Sequence, residues 1–289
     1  MQEFFLKNFM NEMISGLYVV ATPIGNFGDI TLRAIEVLKN CDFVVCEDSR
    51  VTLKLLNKLE IKKPFIIYND QSDDLVRGKI LSLIKEGKII ALVSDAGTPL
   101  ISDPGYKLVN MLISNSIKVI AIPGPSSVIA ALSISGIESN RFLFAGFIPD
   151  SKIAQEKLFK ELAIINSSLI FFEAANQVLP SLEMMLEIFG NRSAAAVREI
   201  TKIYEETKKD SLSNLVKYYQ KNNIKGEVVI LVSPPKSDDK EIDLEALDEE
   251  LKLGLKKFKP KDLVGIIADN YGLNKKVVYQ RMLELKNEK

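Results

Sequence analysis

The sequence contains no histidine, only two cysteines, and no apolar run near the roughly 20 residues of a membrane span. Each absence closes off a class of chemistry. Without imidazole there is no Ser-His-Asp triad, no Cys-His pair and no histidine metal site. With Cys41 and Cys46 as the whole thiolate supply, zinc and iron–sulfur centres are excluded too, and no metal is expected. The two cysteines lie in one strand-like run, about 16 Å apart if extended, too far for a disulfide. That predicts a reduced, cytoplasmic protein. The opening MQEFFLKNFMNEM includes Glu3 and Glu12 and lacks a cleavable apolar core, so no signal peptide is expected.

What is present is an ordinary globular composition, with 289 residues, 47% apolar and 26% charged. At roughly 100 to 200 residues per domain, this length predicts two domains and a small third. Lysine and arginine total 38, as do aspartate and glutamate, so the net charge is zero. The zero conceals its distribution. Residues 237–250 carry eight acids and one lysine, a net −7, whereas residues 251–289 carry ten bases and four acids, a net +6. A near-neutral body is thus followed by an acidic hinge and a basic tail. The tail suits a polyanion; the alternative is a solvated helical face.

From residue 17 onward, short Val- and Ile-rich runs alternate with stretches of helical spacing, the pattern of α/β layering. Strands are expected at about 17–21, 42–46, 65–68, 88–93 and 117–122, and helices at about 31–39, 50–59, 73–86, 104–114 and 126–134. Such spacing suits right-handed crossovers in a parallel sheet. After Gly136, five strand-like runs near 141–147, 168–172, 194–199, 202–206 and 226–232 share only three helical segments. A second domain with a mixed sheet is predicted. The expected domains are residues 1–135, 136–235 and 244–289. The last contains helical patterns at 243–253, 260–270 and 274–286, with Gly272 breaking the last two and Asn274 capping the third. It is compatible with a helix-turn-helix, but any small helical cap looks the same, and the plain cap is the reading preferred.

Three strand ends carry unusual loops. The first is Thr22-Pro23-Ile24-Gly25-Asn26, where glycine lets a ligand approach the backbone; it is neither GxGxxG nor a P-loop, and a tight connecting turn would look similar. The fourth strand runs into Ser94-Asp95-Ala96-Gly97-Thr98-Pro99 and on to Ser102-Asp103-Pro104-Gly105, a longer and stiffer loop than a plain connection needs. Asp95 has a second reading as a turn cap. The fifth ends in Pro123-Gly124-Pro125-Ser126-Ser127, where a helix amino terminus with serine hydroxyls offers donors to an anion, or simply caps itself. The carboxyl ends of parallel strands open into one crevice. Two charged clusters, Glu47-Asp48-Ser49-Arg50 and Arg198-Glu199-Ile200-Thr201-Lys202, also draw notice. Such clusters are usually solvated ion pairs, but without histidine only Asp, Glu, Lys, Tyr or Cys can act as general acid or base.

At these residues the chain resembles the ribosomal RNA small subunit methyltransferase I group of the tetrapyrrole methylase superfamily. The resemblance runs from about Leu17 to Val232 and rests on LYVVATPIGNFGDITLRAIEVL, CEDSRVT, ALVSDAGTPLISDPGYKLV, IPGPSS, RFLFAGFIP, VREITKIYEE and KGEVVILV in order. It implies a two-domain α/β fold of the tetrapyrrole methylase type that clasps S-adenosylmethionine between its domains. The implied activity is 2′-O-methylation of a cytidine ribose in the decoding region of 16S ribosomal RNA, within the small subunit, by a homodimer. Motif matching lays the cofactor against Pro23, Ile24 and Gly25, against Asp95, Ala96, Gly97, Thr98 and Pro99, and against Ser126 and Ser127. From the second domain it adds Phe172, Ala196 and Gly226. Glu47, Asp48 and Arg50, with Glu199 and Lys202, would line the catalytic side. Where members commonly carry histidine, this chain has Val51, Tyr68 to Asp70, and Phe172 to Gln177, and Ser49 replaces a threonine.

The expected chemistry is in-line attack of a ribose hydroxyl on a sulfonium methyl, helped by positioning. A carboxylate among Glu47, Asp48 and Glu199, or a Lys202 of depressed pKa, would take the proton. Two alternatives stand beside it: a small-molecule methyltransferase of the tetrapyrrole or diphthine-precursor type, and a catalytically inactive RNA-binding assembly protein.

Overall fold

The apolar runs assemble into two sheets. The computed structural model describes residues 13–69, 74–222, 225–235, 244–255, 258–271, 273 and 275–287. In the first half, β1 (Gly16–Val20), β2 (Phe43–Cys46), β3 (Phe65–Ile67), β4 (Ile89–Leu92) and β5 (Val119–Ile122) form a parallel sheet in the order β3-β2-β4-β1-β5. Successive side chains point to opposite faces. Tyr18, Val20, Val44 and Ala91 therefore pack with α1 (Leu32–Asn40) and α2 (Ser49–Lys58). Leu17, Val45, Ile90 and Leu92 pack with α3 (Asp74–Lys85) and α4 (Tyr106–Ser114). Burial on both faces is why these strands read as continuous apolar runs. Because β4, β1 and β5 are neighbours, the loops leaving their carboxyl ends stand side by side.

The second sheet contains β6 (Phe142–Phe147), β7 (Ser168–Ala174), β8 (Ser193–Arg198), β9 (Glu206–Ser211) and β10 (Glu227–Val232) in the order β6-β7-β10-β8-β9. Only the β6–β7 pair is parallel, so the sheet is mixed. One face, including Leu169, Phe171, Ala196 and Ile230, packs under α6 (Lys152–Leu162), α7 (Val178–Phe189) and α8 (Leu212–Tyr219). The other face, with Ile170, Ala195, Val197, Val229 and Leu231, receives Val128, Ala131 and Leu132 of α5 (Ser127–Ser135). This helix follows β5 in the chain yet packs on the second sheet. It joins the two halves and carries Ser126 and Ser127 to their junction, its first turn capped by the Ser126 hydroxyl.

One expectation shifts. The strand placed at 202–206 is displaced to Glu206–Ser211. Residues 199–205 instead form a tight turn in which the Lys202 amide donates to the Glu199 carbonyl (2.9 Å) and the Thr201 amide to the Glu205 carboxylate (2.6 Å). The true edge strand, ETKKDS, is polar, so it carries no apolar signal; charged edges also discourage unwanted pairing. Helix α9 (Leu244–Gly254) forms where the 243–253 pattern predicts it, so the acidic run continues from the hinge into this helix. Leu247 and Leu251 of α9 pack with α10 (Pro260–Tyr271) and α11 (Lys275–Asn287) in one apolar cluster. Asp248 pairs bidentately with Arg281 (2.6 and 2.9 Å), so part of the acidic segment neutralises part of the basic tail. The rest of the hinge, with Gly272 and Asn274, lies outside the described residues. No helix among the described residues is long and apolar enough to cross a membrane.

Candidate functional site

The loops after β4, β1 and β5 meet the second sheet around a cavity of about 430 Å³, a size typical of small-ligand sites. The first half is stitched together by backbone. The Thr22 amide donates to the Gly97 carbonyl (2.8 Å) and the Gly97 amide to the Thr22 carbonyl (3.0 Å), and the Thr98 hydroxyl donates to the Pro125 carbonyl (3.0 Å). Gly97 adopts φ +77°, and a β-carbon there would lie 3.3 Å from Ile24 Cγ2. Ile24, Asp95 to Thr98, Ser126 and Ser127 line this side, and Phe172, Glu199, Lys202 and Gly226 line the opposite one.

The remaining motif residues stand elsewhere. Pro23, Gly25 and Pro99 are not among the lining side chains. Gly25 instead makes room for the second half, since a β-carbon on it would lie 2.7 Å from Lys202 Cγ. The neighbouring Asn26 amide donates to Thr201 Oγ1 (3.0 Å). Ala196 belongs to the far face of its sheet, in the core under α6 to α8; alternation along β8 turns its side chain away from the cavity. Glu47, Asp48 and Arg50 also fall outside the lining set. Asp48 is the amino-terminal cap of α2, accepting from the Arg50 amide (2.8 Å) and from Nη2 of the Arg50 guanidinium (2.6 Å). Those bonds pull the Asp48 carboxyl down to about 2, which makes it a weak base.

Glu199 and Lys202 form an ionic clamp at the cavity edge. Lys202 Nζ donates to Glu199 Oε1 (3.1 Å) and Glu227 Oε2 (3.2 Å), while the Glu227 amide donates to Glu199 Oε1 (3.3 Å). Burial alone would raise Glu199, but Lys202 and the Glu227 amide outweigh it and hold the carboxyl below its ordinary value. Burial alone would lower Lys202, but Glu199 and Glu227 reverse that and hold the ammonium above its ordinary value. The expectation of a lysine base with depressed pKa is therefore overturned: two carboxylates stabilise its protonated form.

Several lining residues carried no prior assignment. Asp103, half-buried, is pushed up chiefly by burial, against a hydrogen bond from Ser94, with the charges of Glu47 and Asp95 adding to the rise. Glu173 is buried and likewise raised by burial, but both of its oxygens are occupied, by the Ala174 amide and the Ser181 hydroxyl. Phe147 and Ile101 complete the apolar wall. Backbone strain gathers here too. Of six non-glycine residues with positive φ among the described residues, Leu100, Ser102, Glu199 and Thr201 belong to these two loops, and such strain concentrates at functional sites. The SDPG run could have pointed to Asp103; Phe147 and Glu173 lie inside stretches the resemblance covers, RFLFAGFIP and Phe172 to Gln177, but neither stretch assigns them a role.

Comparison with known proteins adds context to this geometry. Residues 16–216 match the sequence profile described as Tetrapyrrole (Corrin/Porphyrin) Methylases. The chain is 49% identical over 236 residues to the ribosomal RNA small subunit methyltransferase I of Rickettsia prowazekii (strain Madrid E), covering 81% of this chain and 84% of that one. It is 47% identical over 274 residues to the protein of the same name from Erythrobacter litoralis (strain HTCC2594), covering 94% and 95%. Among solved structures, the cobalamin biosynthetic enzyme cobalt precorrin-4 methyltransferase superposes with a TM-score of 0.55 at 17% identity, over 75% of this chain and 94% of that one. At that identity the likeness speaks to the fold alone.

Proposed function

The chain belongs to the tetrapyrrole methylase family, in its ribosomal RNA small subunit methyltransferase I group, and on that footing we propose that it methylates the 2′-hydroxyl of a cytidine in the decoding region of 16S ribosomal RNA. The observation that carries the choice of acceptor is the 47% identity sustained across 94% of the chain with a relative of that name.

Methyltransferases of this family use S-adenosylmethionine, and the cavity's own residues fit it. Ile24, Val128, Phe172 and Val229 offer apolar surface for a purine. Gly97 and Gly226 hold their backbone open, Gly226 at a place where a β-carbon would collide with Glu199. Asp95 and the serines opening α5 supply polar partners for a charged amino-acid portion. When bound, the cofactor supplies an activated methyl group.

The chain's residues then have two tasks. The first is to hold the acceptor oxygen in near-attack geometry with water displaced, which can supply several kcal/mol of the barrier. The Glu199–Lys202–Glu227 clamp, drawn against Gly25 and Asn26, serves this by fixing the two halves. The second is to take the hydroxyl proton. Asp103 suits it best among the five cavity carboxylates, because its basicity is raised by burial, whereas Glu199 and Glu227 are ion-paired with Lys202, Glu173 has both oxygens engaged and Asp95 faces the cofactor's charged portion in this reading. We assign the protein to the cytoplasm as a homodimer on the same family footing.

Transfer of label from methyl-labelled cofactor to small ribosomal subunits, to free 16S RNA and to a precorrin tests the reading. Label in the ribosomal RNA ribose supports it. Label in the precorrin alone, or cofactor binding without transfer, would replace it with one of the two alternatives.

A further inference from the structure

Strand β6 departs from regular pairing. Phe144 stands opposite Ile170 and Phe147 opposite Phe172, so three steps along β6 match two along β7. This is a β-bulge, with Gly146 at φ +78° inside it. Alternation alone would turn residues three apart to opposite faces. The extra residue returns Phe147 to the face of Phe144, and both rings pack edge-on against Phe172, with centroids 4.8 and 5.2 Å away.

Phe147 thereby lines the cavity while 64% of its surface stays exposed. Leaving a large apolar ring in water is unfavourable, and a bulge beside a ligand cavity is a means of re-aiming a side chain. The bulge also approaches the other half of the molecule. A β-carbon on Gly146 would lie 3.7 Å from Ser102 Oγ, and Ser102, Asp103 and the 46% exposed Ile101 line the same cavity. An exposed aromatic ring, braced from behind by Phe172, thus shares the cavity with the carboxylate best suited to take a proton.

We propose that Phe147 is the stacking platform for the nucleobase of the acceptor nucleotide. The inference rests on the RNA reading above and adds how the base is held. Unpaired bases are commonly bound on aromatic faces, and loss of one such contact weakens binding by roughly 5- to 100-fold. A purine ring of the cofactor has the same stacking chemistry, so the test must separate the two sources.

The chain has no tryptophan, so Phe147→Trp introduces a single indole at this point, and a stacked base quenches its emission. Small ribosomal subunits are expected to quench it, whereas S-adenosylhomocysteine alone is not. In steady-state transfer, Phe147→Leu should raise KM for subunits roughly 5- to 100-fold with cofactor affinity unchanged, and Phe147→Tyr should restore it. Wild-type KM in Phe147→Leu, or quenching and lost affinity with S-adenosylhomocysteine alone, would overturn the proposal. Quenching by subunits without methyl transfer by the wild type would sink the methylation reading and leave the stacking site standing; transfer without quenching would do the reverse.

Discussion

Gly226 and Glu199 share one corner of the cavity: a β-carbon on Gly226 would sit 2.2 Å from Glu199 Oε1. The carboxylate cannot simply swing away, because Lys202 and the Glu227 amide hold it. Gly226 also has φ +89°, which costs a side-chain-bearing residue about 1–3 kcal/mol. Gly226→Ala is therefore expected to lower Tm by several degrees and weaken cofactor binding about tenfold or more. Differential scanning fluorimetry and calorimetric titration with S-adenosylhomocysteine would measure both. Unchanged values would show that the clamp does not depend on this glycine.

Lys202 separates clamp from base by a simple substitution. Arginine keeps the charge but does not deprotonate in proteins. If Lys202 fixes Glu199 and Glu227, Lys202→Arg should retain activity to within about tenfold, while Lys202→Met should lose more and should release Glu199 upward from its depressed pKa. Linkage gives the sign. A carboxyl lowered on folding contributes stability that is present above its unfolded pKa and lost as pH falls through the folded one. Lys202→Met should thus narrow the stability difference between neutral pH and pH below the ordinary glutamate value of 4.5. An inactive arginine variant of normal stability would restore lysine as the base.

The first sheet was legible almost residue by residue, because strands buried on both faces carry uninterrupted apolar runs and their helices have clear amphipathic spacing. Edge strand β9 was not, since a polar strand leaves only backbone pairing to define it. The loops that line the cavity were legible as motifs, but a motif names a stretch of chain, not the direction of each side chain. Ala196 shows this, facing the opposite core by the parity of a strand. Asp48 shows the same for the charged clusters, where capping a helix and binding a ligand call for identical residues. Phe147 sits in the RFLFAGFIP run, but its place in the cavity was not legible there, because it depends on a bulge whose register only the neighbouring strand reveals.

Asp103 yields a prediction about pH. Its carboxyl is raised by burial, and a base must be ionised to accept a proton, so kcat should rise with pH through that elevated pKa and then level. Asp103→Asn should lower kcat by roughly 10²- to 10⁴-fold and remove the acid limb, with the cofactor dissociation constant little changed. Pre-steady-state methyl transfer across the pH range provides the measurement. If the asparagine variant keeps the acid limb, the proton goes to another group.

The basic tail yields the last prediction, because its charge is not spread evenly. Arg281 is committed to Asp248 and Glu284, whereas Lys259, Lys261, Lys275 and Lys276 border one groove with Tyr279, at the amino ends of α10 and α11. Helix amino termini carry partial positive charge, so lysines there add to a field already suited to phosphate, and a half-exposed tyrosine gives a base a surface to rest on. Each phosphate contact to single-stranded RNA contributes about 0.7 to the slope of log affinity against log salt. Neutralising Lys259, Lys261 and Lys275 to glutamine should therefore flatten that slope by up to about 2, while binding of S-adenosylhomocysteine stays as in the wild type. Removing residues 244–289 should flatten it at least as much. The comparison with Arg281→Gln decides whether location or total charge matters: an arginine already paired with two carboxylates should contribute little. An equal loss from Arg281 and from a groove lysine would mean that the tail attracts RNA only through its net charge.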